Sequence, residues 1–212
     1  EIRLSLVGSE MCIRDRLELI DISGSMDDPI GDGRSRLDGA IEGAQSTLNH
    51  FRSTDEIGVW AFTTGISSDE GEGIQVLRDV SALGSDGEKL DSSLDDLRYA
   101  QRNGTPLYDS ILLAYEAMSE RAEPGRINAI VVLSDGEDTD SSTSLDSLIA
   151  KIGKSTKEGG DDAPVRIFPI AYGEGADTSA LQRIAEVTGG QLFDASDAER
   201  IDLVFASVIN NF

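Results

Sequence analysis

The sequence predicts an α/β domain, a doubly wound and mostly parallel sheet with helices on both faces. Three observations carry this. Short apolar runs alternate with segments whose apolar residues recur at helical spacing, the pattern of successive βαβ units. The run at 128–133, with Ile130, Val131, Val132 and Leu133, is apolar on both faces, as a central parallel strand must be. A chain of 212 residues with an apolar share of 39% is enough for one domain with its own core. Crossovers between the parallel strands are then right-handed.

Leu17, Leu19 and Ile20 form the first short strand, which ends in Asp21-Ile22-Ser23-Gly24-Ser25. Alternate residues of an extended chain share a side, so Asp21, Ser23 and Ser25 can point one way, and Gly24 lets the backbone bend. One carboxylate and two hydroxyls on a single turn are hard oxygen ligands suited to a cation such as Mg2+. The competing reading is a capped turn, with Asp21 and Ser23 bonding nearby N–H groups. Residues 26–34, with Pro29, Gly31, Asp32 and Gly33, read as a loop. A helix follows from Ser35, since Leu37, Ile41, Ala44, Leu48 and Phe51 lie on one face. His50 falls near its carboxyl end, where a cation suits the helix dipole.

The apolar stretch at 56–62 reads as a buried strand and the polar stretch at 63–73 as a turn region. Ile74, Val76 and Leu77 suggest a strand that returns antiparallel at the sheet edge. Leu90, Leu94 and Leu97 mark a helix over 84–96 whose acidic side is a solvated surface. Pro106 is placed for a first helical position with Thr105 as the cap before it, and Leu107, Ile111, Ala114, Tyr115 and Met118 continue that helix. A threonine hydroxyl there can also serve a metal.

Asp135 ends the central strand, at the carboxyl edge where open α/β sheets place their sites. Glu137, Asp138 and Asp140 offer a further cation site or, preferably, a solvated loop. Leu145, Leu148, Ile149 and Ile152 mark the next helix, and residues 157–163 a loop. Residues 165–171 form a strand. Gly173-Glu174-Gly175 then opens a helix bearing Leu181, Ile184 and Ala185. Those glycines fail the dinucleotide fingerprint, because its third glycine would fall at Thr178, and tight turning explains them. Residues 191–193 are a short edge strand, and Ile201, Val204, Phe205, Val208 and Phe212 form a closing amphipathic helix.

With 40 Asp and Glu against 18 Lys and Arg, the net charge of −22 argues against nucleic acid and anionic lipid as partners. It favours solubility and cations, and a salt-rich habitat would produce the same balance. Cys12 and His50 are the only residues of their kinds, which excludes an internal disulfide and a Cys/His zinc site. No apolar run is long enough to span a membrane.

Asp21-x-Ser23-x-Ser25, Gly104-Thr105-Pro106-Leu107 and Leu133-Ser134-Asp135-Gly136 resemble, in order and spacing, the three parts of the metal-ion-dependent adhesion site of von Willebrand factor type A domains. The resemblance runs from residue 17 to residue 212. It implies a six-stranded sheet of order 3-2-1-4-5-6 with one antiparallel edge strand. It also implies a metal, Mg2+ with Mn2+ or Ca2+ as alternatives, held by Asp21, Ser23, Ser25, Thr105 and Asp135. In the family the two serines and the threonine touch the metal, while the aspartates act through water or one of them directly.

The implied function is protein binding, with an Asp or Glu of the partner completing the metal's coordination. No enzyme is expected, because no His, Lys or activated nucleophile accompanies the motif. Two alternatives stand beside it: a structural domain whose metal meets no partner, and a Mg2+-dependent phosphohydrolase of the Asp-x-Asp type. The second is opposed by Ser23 at the second position and by the lack of a Lys with Asp135. The runs at 166–173 and 184–190 are similar to the carboxyl-terminal type A module of bacterial surface proteins with a solute-binding-like domain upstream. That similarity implies an exported or cell-surface protein.

Residues 5–16 resemble an adaptor-derived peptide found at the ends of translated environmental reads, so residues 1–16 are expected to be a non-native extension and 17–212 the domain. The natural targeting signal would then be absent from this chain. Deleting residues 1–12 should leave the thermal midpoint nearly unchanged. A loss of several degrees, at roughly 2–4 °C per kcal/mol for this size, would show native packing of the segment.

Overall fold

The computed structural model describes residues 14–31, 33–48, 51, 55–82, 84, 87–100, 103–123, 126–155, 165–197 and 201–210. Residues 1–13, His50 and the loop expected at 157–163 lie outside them. In chain order the elements are β1 (Arg14–Asp21), β2 (Pro29–Gly31), β3 (Arg34–Ser35), α1 (Arg36–Leu48), β4 (Glu56–Ser68), β5 (Gly71–Ala82) and α2 (Gly87–Asp96). They continue with α3 (Leu107–Arg121), β6 (Ile127–Ser134), α4 (Leu145–Ser155), β7 (Val165–Tyr172), α5 (Thr178–Thr188), β8 (Phe193–Ala195) and α6 (Ile201–Asn210).

Six strands form one sheet in the order β5-β4-β1-β6-β7-β8. All neighbours are parallel except β5, which pairs antiparallel with β4 at the edge. Counted along the chain, that is the order 3-2-1-4-5-6. β1 is central because its side chains are apolar on both faces. Ile20 and Ile22 join the core cluster that holds Ala40, Ile41 and Ala44 of α1, Leu90 and Leu94 of α2, and Ile201, Phe205 and Val208 of α6. Leu17 and Leu19 join the opposite cluster with Leu107 and Ile111 of α3, Leu148 and Ile152 of α4, and Leu181 and Ile184 of α5. Each of the Leu, Ile, Val and Phe side chains among these contributes about 1.5–3 kcal/mol by leaving water.

Several elements differ from the sequence reading. β1 begins at Arg14, three residues before the apolar run, and pairs with β6 from Arg14 and with β4 from Asp15. Its charges are absorbed locally: Asp15 meets Arg126 at 3.1 Å, and the Arg16 guanidinium lies 4.8 Å from the Phe51 ring centroid. The stretch at 63–68 continues β4 into a long hairpin arm, because backbone pairing needs no apolar side chain. Part of the loop expected at 26–34 is the small β2–β3 hairpin. The edge strand sits two residues later than its apolar residues suggested. The helix expected at Gly173 starts at Thr178, where Asp177 caps the Ala180 N–H at 2.9 Å.

Glu18 is the one charged residue inside the apolar run of β1, 17–20. By alternation it shares the face of Ile20 and Ile22, and it is 2% exposed. Neither carboxylate oxygen has a hydrogen-bond partner among the described residues. Burial pushes its pKa from the ordinary 4.5 up to about 7, with Arg16 offsetting part of the effect. The unfolded chain therefore loses this proton before the folded one does. The stability that depends on Glu18 is fully present below pH 4.5, is lost as pH rises toward 7 and levels off above, a change of about 3 kcal/mol. Glu18→Leu should raise the thermal midpoint at pH 8 by roughly 5–10 °C and much less at pH 4.5. Melting curves by circular dichroism check it, and an equal shift at both pH values would count against burial of the charge.

Candidate metal centre

The site begins with the register of the sheet. Ile20 lies opposite Leu133 in the β1–β6 pairing, so Asp21 and Ser134 stand one step further along, at the carboxyl end of the two central strands. The Ser134 hydroxyl donates to Asp21 Oδ2 at 2.6 Å, and the Ser23 N–H donates to Asp21 Oδ1 at 2.8 Å. Asp21 has no exposed surface. Its pKa is pushed up to about 7, because burial outweighs the two serine hydrogen bonds that favour the charged form. The turn-capping reading is thus realised by Asp21, whose carboxylate accepts the Ser23 N–H, and not by Ser23, whose side chain makes no capping bond.

From Asp21 the chain turns through Ser23 and Ser25. The two hydroxyl oxygens are 3.1 Å apart, and the Ser25 hydroxyl donates to Asp135 Oδ1 at 2.7 Å. Asp135, only 1% exposed, receives at Oδ2 the Arg36 guanidinium from the start of α1, also at 2.7 Å. Arg36 further meets Asp28 at 3.1 Å and the Ser25 carbonyl at 3.5 Å. Sequence reading missed Arg36. It stands outside the three motifs, and only the fold of the loop after Ser25 brings it back.

The turn after β7 closes the far side. Gly173 has φ +73°, and a Cβ on it would lie 3.0 Å from the Arg36 Nε. A Cβ on Gly175 would lie 2.9 Å from the Asp135 carbonyl oxygen. The two glycines therefore serve a close approach to the site as well as a tight turn.

Thr105 is not the cap of α3. The N-cap is Pro106, and no side chain caps from that position. Thr105 is held instead by the loop after β6: its N–H donates to the Thr139 hydroxyl at 2.9 Å, and its carbonyl accepts the Thr139 N–H at 3.0 Å. The first turn of α3 is satisfied by Asp138, which accepts the Tyr108 N–H at 3.1 Å, and by the Ser141 hydroxyl, which accepts the Asp109 N–H at 3.0 Å. Asp109 returns the contact, accepting the Ser142 N–H at 2.7 Å and the Thr143 N–H at 3.0 Å. Burial opposes its charge, but these bonds hold its pKa below the ordinary value. The Thr105 hydroxyl is thereby left without a hydrogen bond among the described residues. Its loop is tied to the serine turn, since the Gly24 N–H donates to the Asn103 carbonyl at 2.9 Å.

The structure thus links Asp21, Ser23, Ser25 and Asp135 side by side and joins the Thr105 loop to them through Gly24. It gives Asp138 and Asp140 other work, as Asp140 accepts the Thr64 hydroxyl at 3.3 Å. No cluster of three or more His, Cys, Asp or Glu suited to a metal occurs among the described residues. The oxygen set here is of another kind, three hydroxyls and two carboxylates. Each hydroxyl has two lone pairs and each carboxylate about four, so the hydrogen bonds above leave capacity for a hard cation. The residues fit such an ion.

A family model described as von Willebrand factor type A domain matches residues 18–206. The chain belongs to the von Willebrand factor type A domain family. No curated protein matches it. Among solved structures, the type A domain is similar to a von Willebrand factor type A protein from Catenulispora acidiphila, with a TM-score of 0.72 at 21% identity over 92% of this chain and 42% of that one. It is similar to an aerotolerance-related membrane protein from Bacteroides fragilis, with a TM-score of 0.66 at 16% identity over 94% of this chain and 100% of that one. It is also similar to proximal thread matrix protein 1 from the mussel byssus, in a structure with a zinc-occupied MIDAS motif. There the TM-score is 0.67 at 14% identity, over 93% of this chain and 47% of that one. The chain therefore spans about half of the mussel protein. At these identities the likeness establishes the fold.

If the five residues hold a cation, charge should dominate its affinity. Asp21→Asn should weaken Mg2+ binding more than Ser25→Ala does, because it removes one of the two formal negative charges. Titration calorimetry on both variants and the wild type decides it, and equal affinities in all three would place binding elsewhere.

Proposed function

We propose that this type A domain is a divalent-cation-dependent protein-binding module. Asp21, Ser23, Ser25, Thr105 and Asp135 hold Mg2+, and an Asp or Glu of a partner protein completes its coordination. The observation that carries the reading is the hydrogen-bonded run from Asp21 through Ser23 and Ser25 to Asp135, at the carboxyl ends of the two central strands. A buried carboxylate there is costly when ionised and becomes favourable with a cation beside it. The zinc in the MIDAS motif of the mussel relative supports a divalent ion at this place in the fold. Mostly neutral ligands leave the ion electrophilic. The acidic surface makes long-range attraction to an acidic partner weak, so the contact is made at short range, where salt screens little.

In this reading the domain works by binding, since the hydroxyls and carboxylates of the cluster are taken up as ligands of the cation. The membrane protein among its structural relatives supports a cell-surface setting. No helix among the described residues is long and apolar enough to cross a membrane. A second reading is favoured by one observation: both oxygens of Asp21 and of Asp135 already have protein partners. In that reading the domain is structural and its site self-satisfied.

Capture of partners from a surface extract separates the two. Chelation should abolish capture and Mg2+ or Mn2+ should restore it. Thr105→Ala should reduce capture at least tenfold while changing stability by less than about 1 kcal/mol, since its hydroxyl makes no bond that folding depends on. Partners retained equally with chelator and by the variant would sink the metal-bridged reading.

A further inference from the structure

We infer that Arg36 sets the charge of the cation site, and through it the site's demand for an anionic group from outside. The inference rests on the proposed cation site. Two carboxylates, Asp21 and Asp135, give the cluster two formal negative charges, which would by themselves neutralise a divalent ion. Arg36 takes Asp135 Oδ2 at 2.7 Å, while the other oxygen of the same carboxylate accepts the Ser25 hydroxyl. The guanidinium is thus one carboxylate's width from a proposed metal ligand, and it also lies 3.5 Å from the Ser25 carbonyl. Its positive charge is permanent at any physiological pH.

With Arg36 in place the cluster carries one net negative charge, and a bound divalent ion keeps one positive charge uncompensated. A carboxylate from another molecule supplies the missing charge. The other carboxylate on Arg36, Asp28, is 60% exposed, so water screens it, whereas Asp135 is fully buried. The guanidinium is held on its far side as well. The backbone of Gly173 passes so close that a Cβ there would lie 3.0 Å from Nε, which limits retreat in that direction. A second role follows from the same contact. With Asp135 pinned at Oδ2, its Oδ1 keeps the Ser25 proton, and the Ser25 lone pairs remain available to an ion.

The test is Mn2+ affinity in the absence of any partner, read from the electron paramagnetic resonance of free Mn2+. Arg36→Met removes charge and hydrogen bonds, whereas Arg36→Gln removes charge and keeps an N–H donor for Asp135. Both should bind Mn2+ roughly tenfold or more tightly than the wild type, as removing a like charge at this range requires. Arg36→Lys should stay near the wild type. Circular dichroism establishes that each variant is folded, and Arg36→Gln decides the matter if Arg36→Met is not. Unchanged or weaker Mn2+ binding in the folded glutamine variant would overturn the inference while leaving the site reading intact. A gain in Arg36→Met alone would trace to lost hydrogen bonds and would also overturn it. Failure of the wild type and all Arg36 variants to bind Mn2+ would overturn the site reading together with this one.

Discussion

A carboxylate without exposed surface stands at the end of the central strand, and much of the upper face of the domain is arranged around it. Asp21 is buried because β1 lies between β4 and β6 with apolar layers on both sides. Its charge cannot be hydrated there, so it must be met by donors, by a proton or by a cation. The protein supplies two donors, Ser134 from the neighbouring strand and the Ser23 N–H from the turn that follows. Everything near the site extends this accommodation: the serine turn leads to Asp135, and Asp135 leads to the Arg36 guanidinium.

The same principle governs the rim. Four carboxylates around the α3 end and the loop after β6 are used as acceptors for backbone and hydroxyl donors. Asp109 takes the Ser142 and Thr143 N–H groups, Asp138 that of Tyr108, and Asp140 the Thr64 hydroxyl, while Asp135 takes Ser25 and Arg36. A strongly acidic chain thereby turns part of its charge into loop structure. This fixes Thr105 from the loop side and spares its hydroxyl the capping role that its place before Pro106 suggested.

Much of this was legible in the chain. Strand order and the central place of β1 followed from the motif resemblance and the apolar runs, because burial on both faces leaves a plain compositional trace. The meeting of Asp21 with Asp135 was legible for the same reason, since both end central strands. Other features leave no such trace. The extension of β4 to Ser68 depends on backbone pairing by polar residues, and so does the early start of β1, where Arg126 meets Asp15 and the Phe51 ring meets Arg16. Arg36 was invisible because its partner lies 99 residues away and its own neighbours read as an ordinary helix start.

The central position of β1 also shapes how the molecule is made. Its two sheet neighbours lie far along the chain, and the pairing with β6 joins Arg14 to Ile127. Pairings of such long sequence separation carry a large loop-closure entropy and form slowly. During synthesis β1 emerges first and has no partner on one side until most of the domain has followed. An apolar strand waiting with open edges is prone to aggregate. Glu18 sets a charge inside that apolar run, the kind of residue that opposes edge-to-edge pairing in a nascent chain, and the finished domain buries it.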